Sequence, residues 1–313
     1  MREMTGNNRD RVTSTFKSKD TEEWLDIWFT RPLGYWWAVQ CNRLGLHPNA
    51  VTVISIILGA FAGYCFQFVS LGWNLLGIAM LVWANLLDSA DGQLARMTGK
   101  KTMLGRILDG FAGDVWFFCI YFFLGIRLTP QPMPFGIGCN WGVWIWLLMA
   151  FSGFVCHKAQ ASLADYYRNI YLYYQSGNSE LSSSAGIKAE RNALSWRTDW
   201  FYKIALFFYV RYTSSQERST PQFQRMRAAI DSRYGKDIPQ EIRTELCRRM
   251  FPLLKWTNIS TFNTRAIVLY ITLLCNQPWL YFIFEITVMN IIYFYMRGRH
   301  ERICREMADS LLK

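Results

Sequence analysis

Six long apolar segments constrain this chain more than any other feature of its sequence. They occupy residues 50–70, 73–97, 105–128, 141–166, 263–277 and 278–297. Several approach the roughly 20 residues that an α-helix needs to cross the hydrocarbon core of a bilayer, and the fifth is shorter. Charged residues make up only 18% of the chain, below the roughly 25% of soluble domains, which excludes an ordinary soluble protein. The pattern predicts an all-α polytopic membrane protein with six transmembrane helices.

The charge of the connecting loops predicts an orientation. The connections 71–72, 129–140 and 277–279 contain no Lys or Arg, whereas the connections on the other side contain many. Because cytosolic loops of membrane proteins collect Lys and Arg, we expect both termini and the active site to be cytosolic. The net charge of +11 has the same explanation, together with attraction to anionic headgroups, so we do not expect a nucleic-acid partner.

The residues before the first apolar segment divide into two parts. Residues 1–19 are polar, with no apolar core of a signal peptide, and predict a disordered arm. Residues 20–44 predict an amphipathic helix that lies at the membrane interface, where tryptophan is favoured. Asp20 and Glu23 have the spacing of a capping box, and the tryptophans that follow are Trp24, Trp28, Trp36 and Trp37.

A long insertion separates the fourth and fifth apolar segments. We predict catalytic transmembrane helices 1–4 over 45–167, a basic cytosolic insertion over 168–260, and helices 5 and 6 with a cytosolic tail over 261–313. Residues 168–256 contain 15 Lys and Arg against 8 Asp and Glu, a net charge of +7. Within them, 200–210 is too short to span a bilayer and is a candidate interfacial segment. Residues 221–251 have a helical and charged pattern.

The cysteines indicate neither a disulfide scaffold nor a zinc site. Eight cysteines are few for 313 residues, and no two form a C-x-x-C pair. Most lie in apolar runs, where we expect them to behave as small core side chains.

Four carboxylates stand out at the inner ends of the second and third apolar segments: Asp88, Asp91, Asp109 and Asp114. A charge at such depth is costly and points to function. Asp88 and Asp91 are three residues apart and share a helix face, and the turn at 98–102 brings Asp109 back opposite them. Clustered carboxylates repel one another unless a cation joins them. Oxygen ligands suit Mg²⁺, Mn²⁺ or Ca²⁺.

The residues that follow favour a diphosphate ligand. Gly92 and Ala95 are small and allow close approach to the helix, and Arg96 can bind a phosphate. The combination predicts two-metal phosphoryl transfer. Solvated helix-end charges would explain one of these carboxylates but not the spaced set. A cation transporter would use intramembrane carboxylates but would not need the Gly-x-x-Ala-Arg element.

These residues resemble the signature of the CDP-alcohol phosphatidyltransferase family, D-x-x-D-G-x-x-A-R, eight residues, then G-x-x-x-D-x-x-x-D. The chain matches it from Asp88 to Asp109, with Gly105 in place. Asn49 and Thr52 fit a P-N-x-x-T element that is common in the family. The resemblance is specific over about 45–128, loose over the last two spans, and absent from the insertion.

The resemblance implies an activity and a set of roles. An acceptor hydroxyl would attack the diphosphate of a CDP-linked donor, and CMP would leave. Asp88, Asp91 and Asp109 would bind two Mg²⁺ or Mn²⁺ ions, and Asp114 would be a further ligand and the general base. The donor would contact Asn49, Thr52, Gly92, Ala95, Arg96 and Gly105.

The chain departs from the signature at the fourth aspartate. The family has D-x-x-x-D, but Gly113 stands four residues after Asp109 and Asp114 stands five after it. In a regular helix the fifth residue points about 140° away. A single π-bulge would restore the alignment, and Gly110 and Gly113 would permit it, so we expect the bulge. The alternative is a changed base or lost activity.

The acceptor is less well defined by the sequence. Lys158, at the inner end of the fourth segment, and Arg265, at the start of the fifth, are candidate acceptor-binding cations, although snorkelling at the interface explains them equally well. We favour CDP-diacylglycerol as donor and inositol or inositol phosphate as acceptor. The alternatives are a CDP-choline or CDP-ethanolamine phosphotransferase that acts on a diglyceride, and an inactive metal-binding membrane scaffold. The expected partners are the CDP-linked lipid donor, the alcohol acceptor and membrane lipids. A homodimer is a further possibility that the sequence does not decide.

Overall fold

The computed structural model describes residues 19–100, 102–134, 138–176, 181–235 and 237–311, so the predicted disordered arm lies outside it except for Lys19. The described residues are helical with no β-strand. The α-helices are α1 Arg31–Arg43, α2 Pro48–Cys65, α3 Leu71–Thr98, α4 Met103–Leu128, α5 Gly142–Ala150, α6 Lys158–Ser176, α7 Ser184–Ala193, α8 Trp200–Ser219, α9 Pro221–Tyr234, α10 Gln240–Ile259, α11 Phe262–Leu274, α12 Trp279–Ile286 and α13 Val288–Leu311. A 3₁₀ turn occupies Lys19–Thr21, and π-helical segments occupy Asp26–Thr30 and Phe151–His157.

Five helical stretches of the described chain are long and apolar enough to cross a membrane: Pro48–Cys65, Leu71–Thr98, Met103–Leu128, Gly142–Ser176 and Trp279–Leu311. The prediction of an all-α polytopic membrane protein is confirmed. The fifth predicted segment is a helix, α11, but its 13 residues are short of the roughly 20 that a span needs. The predicted number of six spans stays a prediction.

The chain forms two compact units. The first unit contains Met1–His157 and Arg265–Ile286, and the second contains Lys158–Thr264 and Thr287–Lys313. The first unit therefore holds α1–α5, α11 from Arg265 onward and α12, with the predicted carboxylate site. The second unit holds α6–α10 and α13.

Two glycines let α2 and α4 approach closely in the first unit. A Cβ on Gly59 would lie 2.1 Å from the Trp116 ring, and a Cβ on Gly63 would lie 2.8 Å from the backbone of Cys119. The Trp116 indole N–H donates to the Ser55 carbonyl at 3.0 Å. Gly59 and Gly63 have the G-x-x-x-G spacing by which membrane helices bring their backbones together. This contact holds α2 against α4.

The N-terminal segment docks onto α3. A Cβ on Gly34 would lie 2.8 Å from the Ser89 hydroxyl, so only glycine lets α1 approach this closely. The Gln93 side-chain amide donates to the Arg31 carbonyl at 3.1 Å, and the Arg31 guanidinium pairs with Glu22 at 2.9 Å. These polar contacts fix α1 against the helix that carries Asp88 and Asp91.

The predicted interfacial helix begins later than expected. A 3₁₀ turn occupies Lys19–Thr21, and the helical backbone starts at Trp24 and passes through the π segment into α1, so the predicted helix start at Asp20 is wrong. Trp24 is 74% exposed, and Trp28 and Trp36 are also exposed. These apolar side chains agree with a position at the headgroup level, which stays a prediction.

The predicted insertion folds into helices α7–α10 of the second unit. The helical prediction for 221–251 is confirmed, with a break between α9 and α10. Gly235 ends α9 with a φ of 60°, a conformation that favours glycine. Phe223, Met226 and Ile230 are buried along α9 and form part of the core of this unit.

We expect Gly63→Ala to destabilise the protein by about 1–3 kcal/mol, because the backbone of α4 cannot move away from the added methyl group without separating the helices. Thermal unfolding of the purified protein in detergent measures the effect. Gly72→Ala is the matched control, because its Cβ would lie 3.8 Å from the nearest atom. Equal stability of the two variants would contradict the close contact.

Helices α7 and α8 and their connection carry an aromatic–basic surface. Trp196, Trp200 and Phe208 are 63%, 55% and 64% exposed, and the Lys203 ammonium lies 4.9 Å from the Trp196 ring centre. Aromatic rings that alternate with cations suit an anionic membrane surface, at about 1 kcal/mol per well-placed basic residue.

A spin label at Trp200→Cys should therefore be more accessible to oxygen than to a water-soluble nickel chelate in nanodiscs with anionic lipid. The preference should weaken in zwitterionic nanodiscs or high salt. A label at Ser215→Cys, exposed on the polar end of the same helix, is the control. Equal behaviour of both labels in all lipids would refute membrane contact.

Candidate active site

Three of the four predicted carboxylates come together in the first unit. Asp88 and Asp91 lie on α3 and Asp109 lies on α4, and one oxygen from each lies within 4.8 Å of the others. Asp91 is buried, Asp88 is half-buried and Asp109 is exposed, so the group opens to the outside at Asp109. We call these three residues the carboxylate group. Its spacing can hold divalent cations with oxygen ligands.

The turn between α3 and α4 produces this geometry. Gly99 ends α3 in the left-handed conformation, with a φ of 69°. The Thr102 hydroxyl accepts a hydrogen bond from the Gly105 N–H at 2.9 Å and caps the start of α4. The chain therefore reverses within a few residues, and Asp109 lies opposite Asp88 and Asp91.

The start of α2 forms a third wall of the site. The Thr52 hydroxyl donates to Asp91 at 2.5 Å, which orients that carboxylate. The Asn49 side-chain oxygen lies 3.1 Å from the position of a Cβ on Gly105, so glycine there leaves room for the amide. The P-N-x-x-T element and the second glycine of the signature therefore meet in space.

Arg96 adds a cation beside the carboxylate group. Its guanidinium covers Gly92, and a Cβ on Gly92 would lie 3.5 Å from Nη1. The buried Nε and Nη2 atoms have no hydrogen-bond partner within the described part of the chain. Because an unpaired buried donor is costly, these N–H groups suit an anion from outside the chain, such as a phosphate. Ala95 lies half-buried on the same turn.

The predicted π-bulge at Asp114 is wrong. Helix α4 is α-helical without interruption from Met103 to Leu128. In a regular helix Asp114 points about 140° away from Asp109, and the carboxylate group within 4.8 Å does not include it. Asp114 is exposed, and its charge acts on His157. The two glycines permit a bulge but do not require one, since a Cβ on Gly110 or Gly113 would meet nothing within 4 Å.

A buried ion pair lies in the first unit, next to His157. Arg265, 1% exposed, pairs with the fully buried Glu285. The Arg265 guanidinium also donates to His157 Nδ1 at 2.8 Å. Because that nitrogen accepts, the His157 proton belongs on Nε2. The hydroxyls of Tyr121 and Tyr281 complete the cluster, at 3.2 Å from His157 Nδ1 and 2.9 Å from Glu285 respectively.

The two predicted acceptor-binding cations differ in environment. Arg265 is buried in this ion pair, whereas Lys158 is exposed and belongs to the second unit. Glu285 was not among the site residues predicted from the sequence. It is the one carboxylate in the apolar segment 278–297, and an acid within a membrane segment is a functional candidate by default, so the signal was present.

The long apolar helices define an integral membrane protein, and the carboxylate group with Arg96 forms its candidate site. Residues 45–173 match the family model of the CDP-alcohol phosphatidyltransferases. The resemblance drawn from the aspartate signature is confirmed.

Curated relatives match over a shorter region. The chain is 41% identical over 66 residues to the archaetidylinositol phosphate synthase of Pyrococcus horikoshii, covering 21% of this chain and 34% of that protein. It is 35% identical over 69 residues to a protein named "Putative cardiolipin synthase" in Mycobacterium bovis and in Mycobacterium tuberculosis, covering 22% of this chain and 32% of those proteins. The chain thus spans about a third of the length of these relatives. No solved structure is significantly similar to it.

We expect Arg265→Met to lower the free energy of unfolding by about 3–5 kcal/mol, because it leaves the Glu285 charge buried without its partner. The double variant Arg265→Met, Glu285→Met should recover most of that loss, since it removes both charges. Thermal unfolding in detergent measures both proteins. Additive losses in the double variant would show that the two side chains do not act as a pair.

Proposed function

We propose that this protein transfers a substituted phosphoryl group from a CDP-linked alcohol to the hydroxyl of a second alcohol and releases CMP. The observation that carries the proposal is the carboxylate group beside the unpartnered nitrogens of Arg96. Carboxylates that can bind cations lie beside N–H groups that can donate hydrogen bonds to a phosphate, and this combination suits a diphosphate substrate. The family of residues 45–173 supports the same reaction class.

Asp88, Asp91 and Asp109 would hold the divalent cations, and we propose two Mg²⁺ or Mn²⁺ ions. Three carboxylate oxygens within 4.8 Å fit hard cations, and the Thr52 hydrogen bond holds Asp91 in place for this purpose. When bound, such cations offset charge on the attacking and leaving oxygens.

The donor would lie between the three walls of the site. Arg96 would donate to the diphosphate, and the small residues Gly92 and Ala95 would let it approach α3. Gly105 and the start of α2, with Asn49 and Thr52, would border the CMP moiety. These groups bind and orient the donor, which places its diphosphate next to the carboxylate group.

The general base is a separate proposal. Asp114 is the remaining carboxylate of the signature region, and it would accept the proton of an acceptor hydroxyl that approaches from its own side of α4. Its separation from the carboxylate group favours the second candidate function, an inactive metal-binding membrane scaffold. CMP release by the wild-type protein distinguishes these two.

For the substrates we propose CDP-diacylglycerol as donor and inositol or inositol phosphate as acceptor, on the cytosolic side of the membrane. The support is a relative named archaetidylinositol phosphate synthase. The exposed Lys158 stays a candidate for binding a phosphorylated acceptor, whereas Arg265 is already paired with Glu285. The alternative pairs CDP-choline or CDP-ethanolamine with a diglyceride.

The test measures CMP release by purified protein with each donor and acceptor supplied in turn. Activity with CDP-diacylglycerol that depends on inositol or inositol phosphate supports the proposal. Activity that depends on a diglyceride and CDP-choline moves the protein to the alternative. No CMP release with any pair, at saturating Mg²⁺ or Mn²⁺, supports the scaffold.

Replacing any one member of the carboxylate group by asparagine should reduce CMP release by more than about 100-fold; the variants are Asp88→Asn, Asp91→Asn and Asp109→Asn. About 100-fold is the upper end of the loss expected when a residue that only supports a metal ligand is removed. Each variant removes a charged ligand from the carboxylate group while the amide keeps the volume. Asp114→Asn should reduce the rate by about 10²–10⁴-fold if it is the base. Asp165→Asn, on α6 in the second unit, is the control. Near-normal turnover of any carboxylate-group variant at low Mg²⁺ would refute the metal assignment.

A further inference from the structure

A cluster of three possible ligands lies on α13 in the second unit. One ligand atom each of His300, Glu301 and Cys304 lies within 4.8 Å of the others. His300 and Cys304 are four residues apart and face the same side of the helix, which is the spacing of the two zinc-binding histidines in H-E-x-x-H. His300 is 1% exposed and Cys304 is fully buried.

The distances in this cluster fit a tetrahedral ion. His300 Nδ1 lies 3.6 Å from Cys304 Sγ and 3.8 Å from Glu301 Oε1. Bonds of about 2.3 Å to sulfur and about 2.0–2.1 Å to nitrogen, at a tetrahedral angle, separate those two atoms by about 3.5 Å. The side chains therefore need only small adjustments to place their ligand atoms around one cation.

Neighbouring groups hold the ligands in position. Glu301 Oε2 accepts a hydrogen bond at 2.7 Å from the Gln222 N–H at the start of α9, which leaves Oε1 directed to His300. The Tyr167 ring stacks on the His300 imidazole with 3.8 Å between ring centres. This packing fixes the imidazole plane and the carboxylate before any ion binds.

Several polar atoms here have no partner. Glu301 Oε1 and His300 Nε2 are buried with no hydrogen bond to the described residues. Since buried polar groups are costly when unpaired, the cluster is incomplete as it stands. A cation would satisfy Oε1, and a thiolate with a carboxylate would balance the charge of a divalent ion.

We propose that His300, Glu301 and Cys304 bind one Zn²⁺ ion through Nδ1, Oε1 and Sγ. Sulfur and imidazole ligands select zinc over magnesium, so this ion is chemically different from those of the carboxylate group. Three protein ligands leave a fourth position for water. Because Glu301 also caps α9, the ion would fasten α13 to α9. The proposal does not depend on the proposed transfer reaction.

The test uses the full-length protein in detergent after removal of metal with a chelator. Titration with Co²⁺ should give a thiolate-to-cobalt charge-transfer absorption that saturates at one equivalent and disappears when Zn²⁺ is added. Oxygen ligands alone produce no such band, so the carboxylate group does not interfere. Absence of the band in the wild-type protein would overturn the proposal.

Variants assign the ligands. Cys304→Ser should abolish the band, and His300→Gln should weaken Co²⁺ binding at least about tenfold. Cys247→Ser, on α10 of the same unit, should leave the band unchanged. A band that persists in Cys304→Ser, or that is lost in Cys247→Ser, refutes the assignment.

A second measurement needs no variant. Zn²⁺ should slow alkylation of Cys304, measured by peptide mass spectrometry over a time in which this buried thiol reacts in the metal-free wild-type protein, without slowing that of Cys247. Equal alkylation of Cys304 with and without Zn²⁺ would mean that Cys304 and His300 only share a hydrogen bond.

Discussion

The close approach of α2 to α4 is the constraint on which the first unit depends. Gly59 and Gly63 remove the side chains that would separate the two helices, and the Trp116 indole fills the space beside them. With α2 held there, Thr52 reaches Asp91 and Asn49 reaches Gly105. The site therefore owes its third wall to packing between helices, because hydrophobic burial provides little specific attraction within a bilayer.

The charged residues of the first unit form two clusters, which differ in whether their charges are paired within the protein. Arg265 and Glu285 satisfy each other inside the protein, with His157 as a third member, so this cluster is complete. The carboxylate group and Arg96 differ, because like charges lie together and guanidinium nitrogens lack partners within the described residues. The unpaired guanidinium nitrogens of Arg96 are groups that a ligand can complete, which supports the proposal that the chemistry takes place beside them.

In the second unit, helix packing brings together ligand-type residues that no paired-cysteine motif marks. Isolated cysteines predicted no metal site, because sequence spacing is usually read in pairs such as C-x-x-C. Helical geometry brings Cys304 to His300 four residues away, and the start of α9 orients Glu301 between them. A mixed ligand set of this kind cannot be recognised from the sequence alone, because the contact that orients Glu301 comes from a second helix, α9.

The sequence by itself determined the helical membrane architecture, the positions of most apolar helices and the grouping of Asp88, Asp91 and Asp109. Each of these follows from local patterns, namely apolar length, three-residue spacing on one helix and a short turn with a glycine and a capping threonine. Tertiary structure decided the direction of Asp114, the burial of Arg265 against Glu285 and the docking of α1 on Ser89 and Gln93. Such features depend on which helices lie side by side. The periodicity of the sequence does not predict which residues will be neighbours across a helix interface.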